Sequence, residues 1–174
     1  MEENLKRMGV EAKLTCADGT EYSDELSYDL IILDLPCSNT GVLSKKPEAK
    51  YRLNQEELNR IIQLQQSLVK RALHLLSQGG ELWVMTCSIL PIENEGIAEY
   101  AQGLGAEQLG EAILCLPDRA GADGGFGVKF KNAIISRKPH FAGIILYNAI
   151  YNGTFNPVFI FCRFKFTRFF IENI

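Results

Sequence analysis

The stretch Asp29-Leu-Ile-Ile-Leu-Asp-Leu-Pro-Cys-Ser-Asn-Thr-Gly41 indicates a buried strand that ends in a tight polar turn. Leu30 to Leu33 are continuously apolar, as is typical of a strand covered on both faces. Pro36 cannot continue a ladder of strand hydrogen bonds, and the small residues after it favour a turn. Ligands bind beyond the carboxyl ends of strands in an open parallel sheet, so Asp34 and Cys37 are placed for chemistry. The alternative is an N-capping Asp and a small buried Cys.

The composition is that of a globular protein with one domain. The 174 residues are 47% hydrophobic and 22% charged, with a net charge of −3,. Five cysteines, at positions 16, 37, 87, 115 and 162, show no spacing typical of zinc ligands or of a disulfide framework,. No leader peptide is indicated, and the apolar segment 142–151 is too short to span a membrane. These features predict reduced thiols in a cytoplasmic protein without a metal site.

The charge and the aromatic residues are unevenly distributed along the chain. Residues 1–131 carry a net charge of −7, whereas residues 132–174 carry +4 and hold 10 of the 17 aromatic residues. This contrast predicts a folded unit over 1–131 and an aromatic, basic tail over 132–174. For the tail, three interpretations compete: an added edge hairpin, an interfacial amphipathic segment, or an end that does not fold with the domain. The irregular patterning favours the last.

Strand and helix patterns alternate through residues 1–131. Strands are predicted over 11–16, 29–34, 81–85, 111–116 and 126–130, and helices over 54–78 and 91–103. The first of these helices begins at Asn54, a good N-cap, and ends at the pair Gly79-Gly80. His74 is predicted on its surface. This alternation predicts a doubly wound α/β fold with a mainly parallel sheet.

Two cysteines are predicted to meet at one edge of that sheet. A right-handed crossover places the strands 29–34 and 81–85 side by side, which brings Cys37 and Cys87 together with Asp34 nearby. A thiolate is a suitable nucleophile for an electron-poor ring when its pKa is lowered. Hydrogen bonds from Thr86 and Ser88, and the start of the helix that follows, are expected to stabilise such an anion.

The two turns resemble a known pair of motifs. Asp34-Leu-Pro-Cys-Ser-Asn-Thr-Gly41 and Thr86-Cys-Ser-Ile-Leu-Pro-Ile-Glu-Asn94 are similar to the signatures of the RsmB/Sun family of RNA cytosine-5 methyltransferases. The resemblance covers about residues 2–131 and none of the tail. It implies a Rossmann-like class I methyltransferase sheet with helices on both faces, S-adenosylmethionine as cofactor, and RNA as substrate, with 16S rRNA the first candidate.

The resemblance also implies roles for four residues. Cys87 would attack carbon 6 of the target cytosine, so that carbon 5 becomes nucleophilic and takes the methyl group. Cys37 would assist elimination and release of the methylated RNA. Asp34 would contact the cofactor side of the site and the cytosine edge, and Asp18 would bind the cofactor. A target base in structured RNA would have to be extruded from its stack to reach these groups.

The chain departs from the family pattern near its N-terminus. No Gly-rich cofactor loop followed by a helix occurs there, so the sheet is expected to lack its first strands and to have an open central edge and half a cofactor pocket. A non-catalytic RNA-binding remnant is therefore an alternative. An amino-group methyltransferase is less favoured, because position 37 is not aromatic. The basic segment Ser44 to Arg52 is either a solvated loop or a phosphate-binding loop in which Tyr51 is available for stacking.

Overall fold

The structure is a computed structural model that describes residues 2–7, 9, 13–133, 140–150 and 158–165. Its helices are α1 (Glu2–Arg7), α2 (Ala49–Arg52), α3 (Gln55–Leu75) and α4 (Glu95–Gly103). Its strands are β1 (Lys13–Asp18), β2 (Ser27–Asp34), β3 (Leu76–Thr86), β4 (Ala106–Gln108), β5 (Ile113–Cys115), β6 (Gly125–Asn132), β7 (His140–Ile150) and β8 (Val158–Lys165). Short 3₁₀ turns occupy Thr40–Val42 and Pro91–Glu93.

These strands form one mixed sheet in the order β1-β8-β7-β2-β3-β6-β4, with β5 also paired to β6. Strand β2 is parallel to both of its neighbours, β3 and β7. The other pairs are antiparallel. Helix α3 connects β2 to β3, which is the crossover expected from the sequence. The predicted α/β fold is therefore confirmed, and the carboxyl ends of β2 and β3 lie side by side. The prediction of a mainly parallel sheet is wrong, because most of the described strand pairs are antiparallel.

The sequence predicts an open central edge in the sheet. This prediction is wrong for the described part of the chain. Strand β7 pairs with β2 in register from Leu30 with Ile144 to Asp34 with Asn148. The backbone N–H and C=O groups on that side of β2 therefore have a partner strand, which removes the cost of an unpaired edge. Strands β7 and β8 are antiparallel neighbours inside the sheet, not at its edge. The division of the chain at residue 131 stays a prediction.

Helix α3 begins where the sequence predicts. Asn54 accepts a hydrogen bond from the backbone N–H of Glu57 at 2.9 Å, which satisfies one donor of the first turn,. The helix ends at Leu75, three residues before its predicted end, because β3 already begins at Leu76. His74 is exposed, as predicted.

The core lies on one face of the sheet. Buried residues of α3 and α4 join those of β2, β3 and β6 in a single cluster, so both helices pack on the same side. The other face is less covered, since Ile32 and Trp83 are half-buried and Met85 is 40% exposed. The strand 29–34 is therefore fully covered on one face only, and the helices predicted for the second face stay a prediction. The fully buried residues of the core cluster include Tyr28, Ile31, Leu33, Leu68, Leu75, Leu82 and Phe130.

Candidate active site

Backbone hydrogen bonds join the turns that follow β2 and β3. Leu35 N donates to Met85 O at 2.9 Å, and Gly41 N donates to Cys87 O at 3.0 Å. Gly124 N in turn donates to Gly41 O at 2.7 Å. A Cβ atom on Gly41 would lie 2.5 Å from Gly124 O and 2.9 Å from Cys87 O. The close approach of these three loops therefore requires glycine at position 41.

The two predicted thiols are in contact at the centre of this junction. Cys37 Sγ lies 3.0 Å from Cys87 Sγ, and Cys37 is 8% exposed. The hydrogen bond from Cys37 is the largest influence on its partner and lowers the pKa of the Cys87 thiol to about 7. The same hydrogen bond, together with burial, raises the pKa of Cys37 far above its ordinary range. When the pair loses a proton, the anion therefore forms on Cys87, and Cys37 keeps its proton.

Two charged side chains also change the pKa of Cys87. After the hydrogen bond from Cys37, the Lys46 ammonium is the next influence that lowers the pKa of Cys87, while burial and the Asp34 carboxylate raise it. Partial desolvation raises the pKa of Asp34, although its side chain reaches solvent, and Lys46 opposes that rise. The structure therefore brings together Cys37, Cys87 and Asp34, as predicted.

A buried carboxylate lies beneath both thiols. Glu93 is fully buried and accepts hydrogen bonds from Ser38 N at 2.8 Å, Ser38 Oγ at 2.5 Å and Ser88 Oγ at 2.6 Å. Gln65, on the buried face of α3, donates to Pro36 O at 2.8 Å beside it. Glu93 thus binds the residue after each cysteine. The sequence motif contains Glu93, but its spacing alone does not reveal this contact.

The sequence predicts hydrogen bonds from Thr86 and Ser88 to the Cys87 thiolate, and this prediction is wrong. Thr86 Oγ1 donates to Asn94 Oδ1 at 2.7 Å, and Ser88 Oγ donates to Glu93. Asn94 Nδ2 also donates to Ser88 O at 3.0 Å. Both hydroxyls therefore hold the turn around Cys87 in shape, because they are occupied by buried acceptors. Helix α4 begins only at Glu95, after the 3₁₀ turn.

Asp18 lies apart from this cluster. It ends β1, and its Oδ1 accepts from Thr20 N at 2.8 Å and Thr20 Oγ1 at 2.7 Å. Strands β8 and β7 separate β1 from β2, so Asp18 and Asp34 are three strand spacings apart, about 14 Å along the sheet,. Both residues nevertheless end strands of the same direction, and they therefore share one edge of the sheet.

A cleft of about 180 Å³ opens beside Cys37. Its lining includes Cys37, Asn39, Lys46 and Arg52, so the basic segment forms one of its walls. Tyr51, on the same segment, is 86% exposed. Within the part of the chain that the structure describes, no group of His, Cys, Asp and Glu is arranged to hold a metal ion. No helix described there is long and apolar enough to cross a membrane.

The family model described as 16S rRNA methyltransferase RsmB/F matches residues 1–126. The chain belongs to this family. The match includes both cysteine turns and ends just after β6 begins, so the strands β7 and β8 lie outside it.

Individual relatives agree with this assignment. The chain is 33% identical over 142 residues to ribosomal RNA small subunit methyltransferase B of Proteus mirabilis, and the match covers 79% of this chain. It is 34% identical over 132 residues to the protein of the same name from Vibrio vulnificus, with 70% of this chain covered. The chain spans 32% and 31% of the lengths of these two relatives.

Solved structures give the same result for the fold. The crystal structure of NSun6 from Pyrococcus horikoshii with SFG superposes with a TM-score of 0.67 at 26% identity. This superposition covers 77% of this chain and 38% of that one. The crystal structure of PH0851 superposes with a TM-score of 0.54 at 29% identity, covering 59% of this chain and 26% of that one.

Proposed function

We propose that this chain carries the catalytic thiols of an S-adenosylmethionine-dependent RNA methyltransferase that modifies carbon 5 of a cytosine. The observation that carries the proposal is the contact between Cys37 and Cys87 at 3.0 Å, in which the hydrogen bond from Cys37 lowers the pKa of Cys87. The names of the RsmB relatives support ribosomal RNA of the small subunit as the substrate.

Cys87 is the nucleophile in this proposal. Its sulfur gives an electron pair to carbon 6 of cytosine, and the electrons of the C5=C6 double bond shift into the ring. Carbon 5 would then take the methyl group of a bound S-adenosylmethionine, whose sulfonium sulfur would become a neutral thioether as its bond to the methyl group breaks. Transfer of the carbon 5 proton to solvent water re-forms the double bond and breaks the S–C6 bond, which returns Cys87 to its thiolate form. A thiolate with a pKa near 7 is suited to both addition and departure at neutral pH,.

Cys37 and Asp34 assist in different ways. The Cys37 thiol donates its hydrogen bond to the departing Cys87 sulfur, which stabilises the leaving anion. Asp34 contacts the polar edge of the cytosine, and its raised pKa favours sharing a proton with a ring nitrogen as negative charge develops on the ring,. The buried Glu93 keeps both turns in place during these steps.

The acidic residues at the sheet edge fit part of the cofactor. S-adenosylmethionine supplies an electrophilic methyl group on a sulfonium, and it carries ribose hydroxyls and an ammonium group that donate hydrogen bonds. Asp34 and Asp18 offer carboxylate acceptors at the ends of two parallel strands, and the described contacts of Asp18 use only its Oδ1. We therefore assign Asp34 and Asp18 to cofactor binding.

A covalent trap tests the assignment of the nucleophile. The chain is incubated with S-adenosylmethionine and an RNA oligonucleotide that contains 5-fluorocytidine, and the adduct is located by peptide mass spectrometry. Since fluorine cannot leave as a proton does, the adduct should persist on Cys87 and be absent from Cys87→Ser. With unmodified RNA, Cys37→Ser should accumulate the same adduct. Methylation that survives in Cys87→Ser would refute the mechanism.

The alternative is an RNA-binding remnant without catalysis. The cleft beside Cys37, with its cations Lys46 and Arg52, supports RNA contact in either case,. Calorimetric titration with S-adenosylmethionine separates the two proposals. Micromolar binding supports the enzyme, whereas RNA binding without cofactor binding supports the remnant.

A further inference from the structure

Asn39 adopts an unusual backbone conformation at the site. Its φ of 60° and ψ of 25° place it in the left-handed region, and it is the one non-glycine residue with positive φ in the described ranges. Such a conformation is costly for most side chains, though less so for Asn, and it clusters at functional sites. The amide of Asn39 therefore calls for a role beyond turn formation.

That amide joins a lysine to the Cys87 thiol and to the backbone of Cys37. Oδ1 of Asn39 accepts from Lys46 Nζ at 3.0 Å and from Cys87 Sγ at 3.1 Å. Its Nδ2 donates to Cys37 O at 3.0 Å. Lys46 Nζ and Cys87 Sγ both bind this one oxygen. The distance between the nitrogen and the sulfur therefore cannot exceed the sum of the two hydrogen-bond lengths. The neighbouring Lys45 instead pairs with Asp123.

We propose that Lys46, held in place by Asn39, is a positioning residue that stabilises the Cys87 thiolate electrostatically. This inference rests on the proposed function, because it concerns the same nucleophile. When Cys87 ionises, it stops donating to Asn39 Oδ1, while the Lys46 ammonium stays bound to that oxygen close to the anion. The other titratable groups that influence Cys87 are the Cys37 thiol, which favours the anion, and the Asp34 carboxylate, which opposes it. Glu93 acts on the neighbouring Cys37.

The test measures ionisation of Cys87 without RNA or cofactor. The rate at which iodoacetamide alkylates Cys87 is followed against pH by mass spectrometry of its peptide. Lys46→Met should move the midpoint upward by about half a unit to one unit, as expected for one nearby charge that solvent partly screens. Lys45→Met is the matched control and should leave the midpoint unchanged. Lys46→Arg should restore it, because a guanidinium also donates to Asn39.

Asn39→Gly separates an electrostatic role from a structural one. Glycine adopts positive φ freely, so the thermal midpoint of unfolding should not fall. The alkylation midpoint of Cys87 should still rise, since Lys46 loses its anchor. Equal midpoints for Lys46→Met and Lys45→Met, or an unchanged midpoint in Asn39→Gly, would overturn the proposal. The alkylation midpoint of Cys87 is measured without methyl transfer. This result is therefore independent of whether the proposed methyltransferase activity is found.

Discussion

Ser38 and Glu93 are bound to each other twice. The Glu93 carboxylate accepts from the backbone N–H of Ser38 at 2.8 Å and from its hydroxyl at 2.5 Å. Ser38 follows Cys37 directly, and Glu93 also accepts from Ser88, which follows Cys87. One buried carboxylate thus fixes the distance between the two turns that carry the thiols.

Replacing this carboxylate should loosen both turns. Glu93→Gln keeps the shape of the side chain but removes the charge that strengthens three hydrogen bonds. We expect a loss of about 2 kcal/mol in the free energy of unfolding, measured by urea denaturation. Glu95→Gln is the control, because Glu95 is exposed two residues away and should change stability by less than about 0.5 kcal/mol. Equal effects of the two changes would contradict the assigned role.

A methyl group at position 41 should disrupt the same junction. In Gly41→Ala the new Cβ would overlap Gly124 O and approach Cys87 O. We expect a loss of about 1–3 kcal/mol in unfolding free energy, the usual cost of overpacking. Gly103→Ala offers the comparison, since nothing lies within 4 Å of the equivalent Cβ at the end of α4. The idea fails if Gly41→Ala is as stable as Gly103→Ala.

Removing the Cys37 thiol should change the pH at which Cys87 ionises. A thiol loses its proton as pH rises, and the hydrogen bond from Cys37 is the largest cause that keeps the pKa of Cys87 near 7. Cys37→Ala should therefore move ionisation toward the ordinary thiol pKa of about 8.5. Ultraviolet absorbance of the thiolate during a pH titration measures this shift. Cys115→Ala, at an exposed thiol, controls for the loss of one titrating group, and an equal curve for both variants would refute the prediction.

The pairing of β7 with β2 can be tested by backbone hydrogen exchange. Proline at position 145 removes one ladder donor beside Ile31, and proline is poorly tolerated inside a sheet. Ile145→Pro should speed exchange of the amides of β2 and lower the melting temperature. Ile113→Pro, in the short strand β5, should affect β2 much less. Unchanged exchange in β2 of the Ile145→Pro protein would show that β7 is not paired there in solution.

Local patterns were sufficient to predict the strands β2, β3 and β6 and the contact between the thiols. The apolar run before Asp34 and the N-cap at Asn54 are decided by neighbouring residues, and the crossover rule then brings Cys37 to Cys87. The end of α3 was missed because Gly79-Gly80 looks like a helix stop. In the structure, Gly80 lies inside β3. A Cβ atom at this position would lie only 2.9 Å from Tyr28 O, so glycine allows the two strands to approach closely.

Contacts between distant segments escaped prediction. Ser38 and Glu93 are brought together only by the assembled sheet. The residues around either one in the sequence therefore do not predict the contact. The place of β7 and β8 was also missed, because their irregular patterning does not reveal strands that enter the sheet between β1 and β2. Lys46, whose charge lowers the pKa of Cys87, appeared in the sequence only as part of a basic loop.

The place of β7 in the sheet also imposes an order on folding. Leu30 leaves the ribosome long before its partner Ile144 has been made. Until then, β2 can pair with β3 but exposes its other edge, which is the kind of surface that recruits chaperones or aggregates. Loop closure over this length slows the final step. A nascent chain would therefore pair the strand before Cys37 on both sides only after the whole of β7 has been translated.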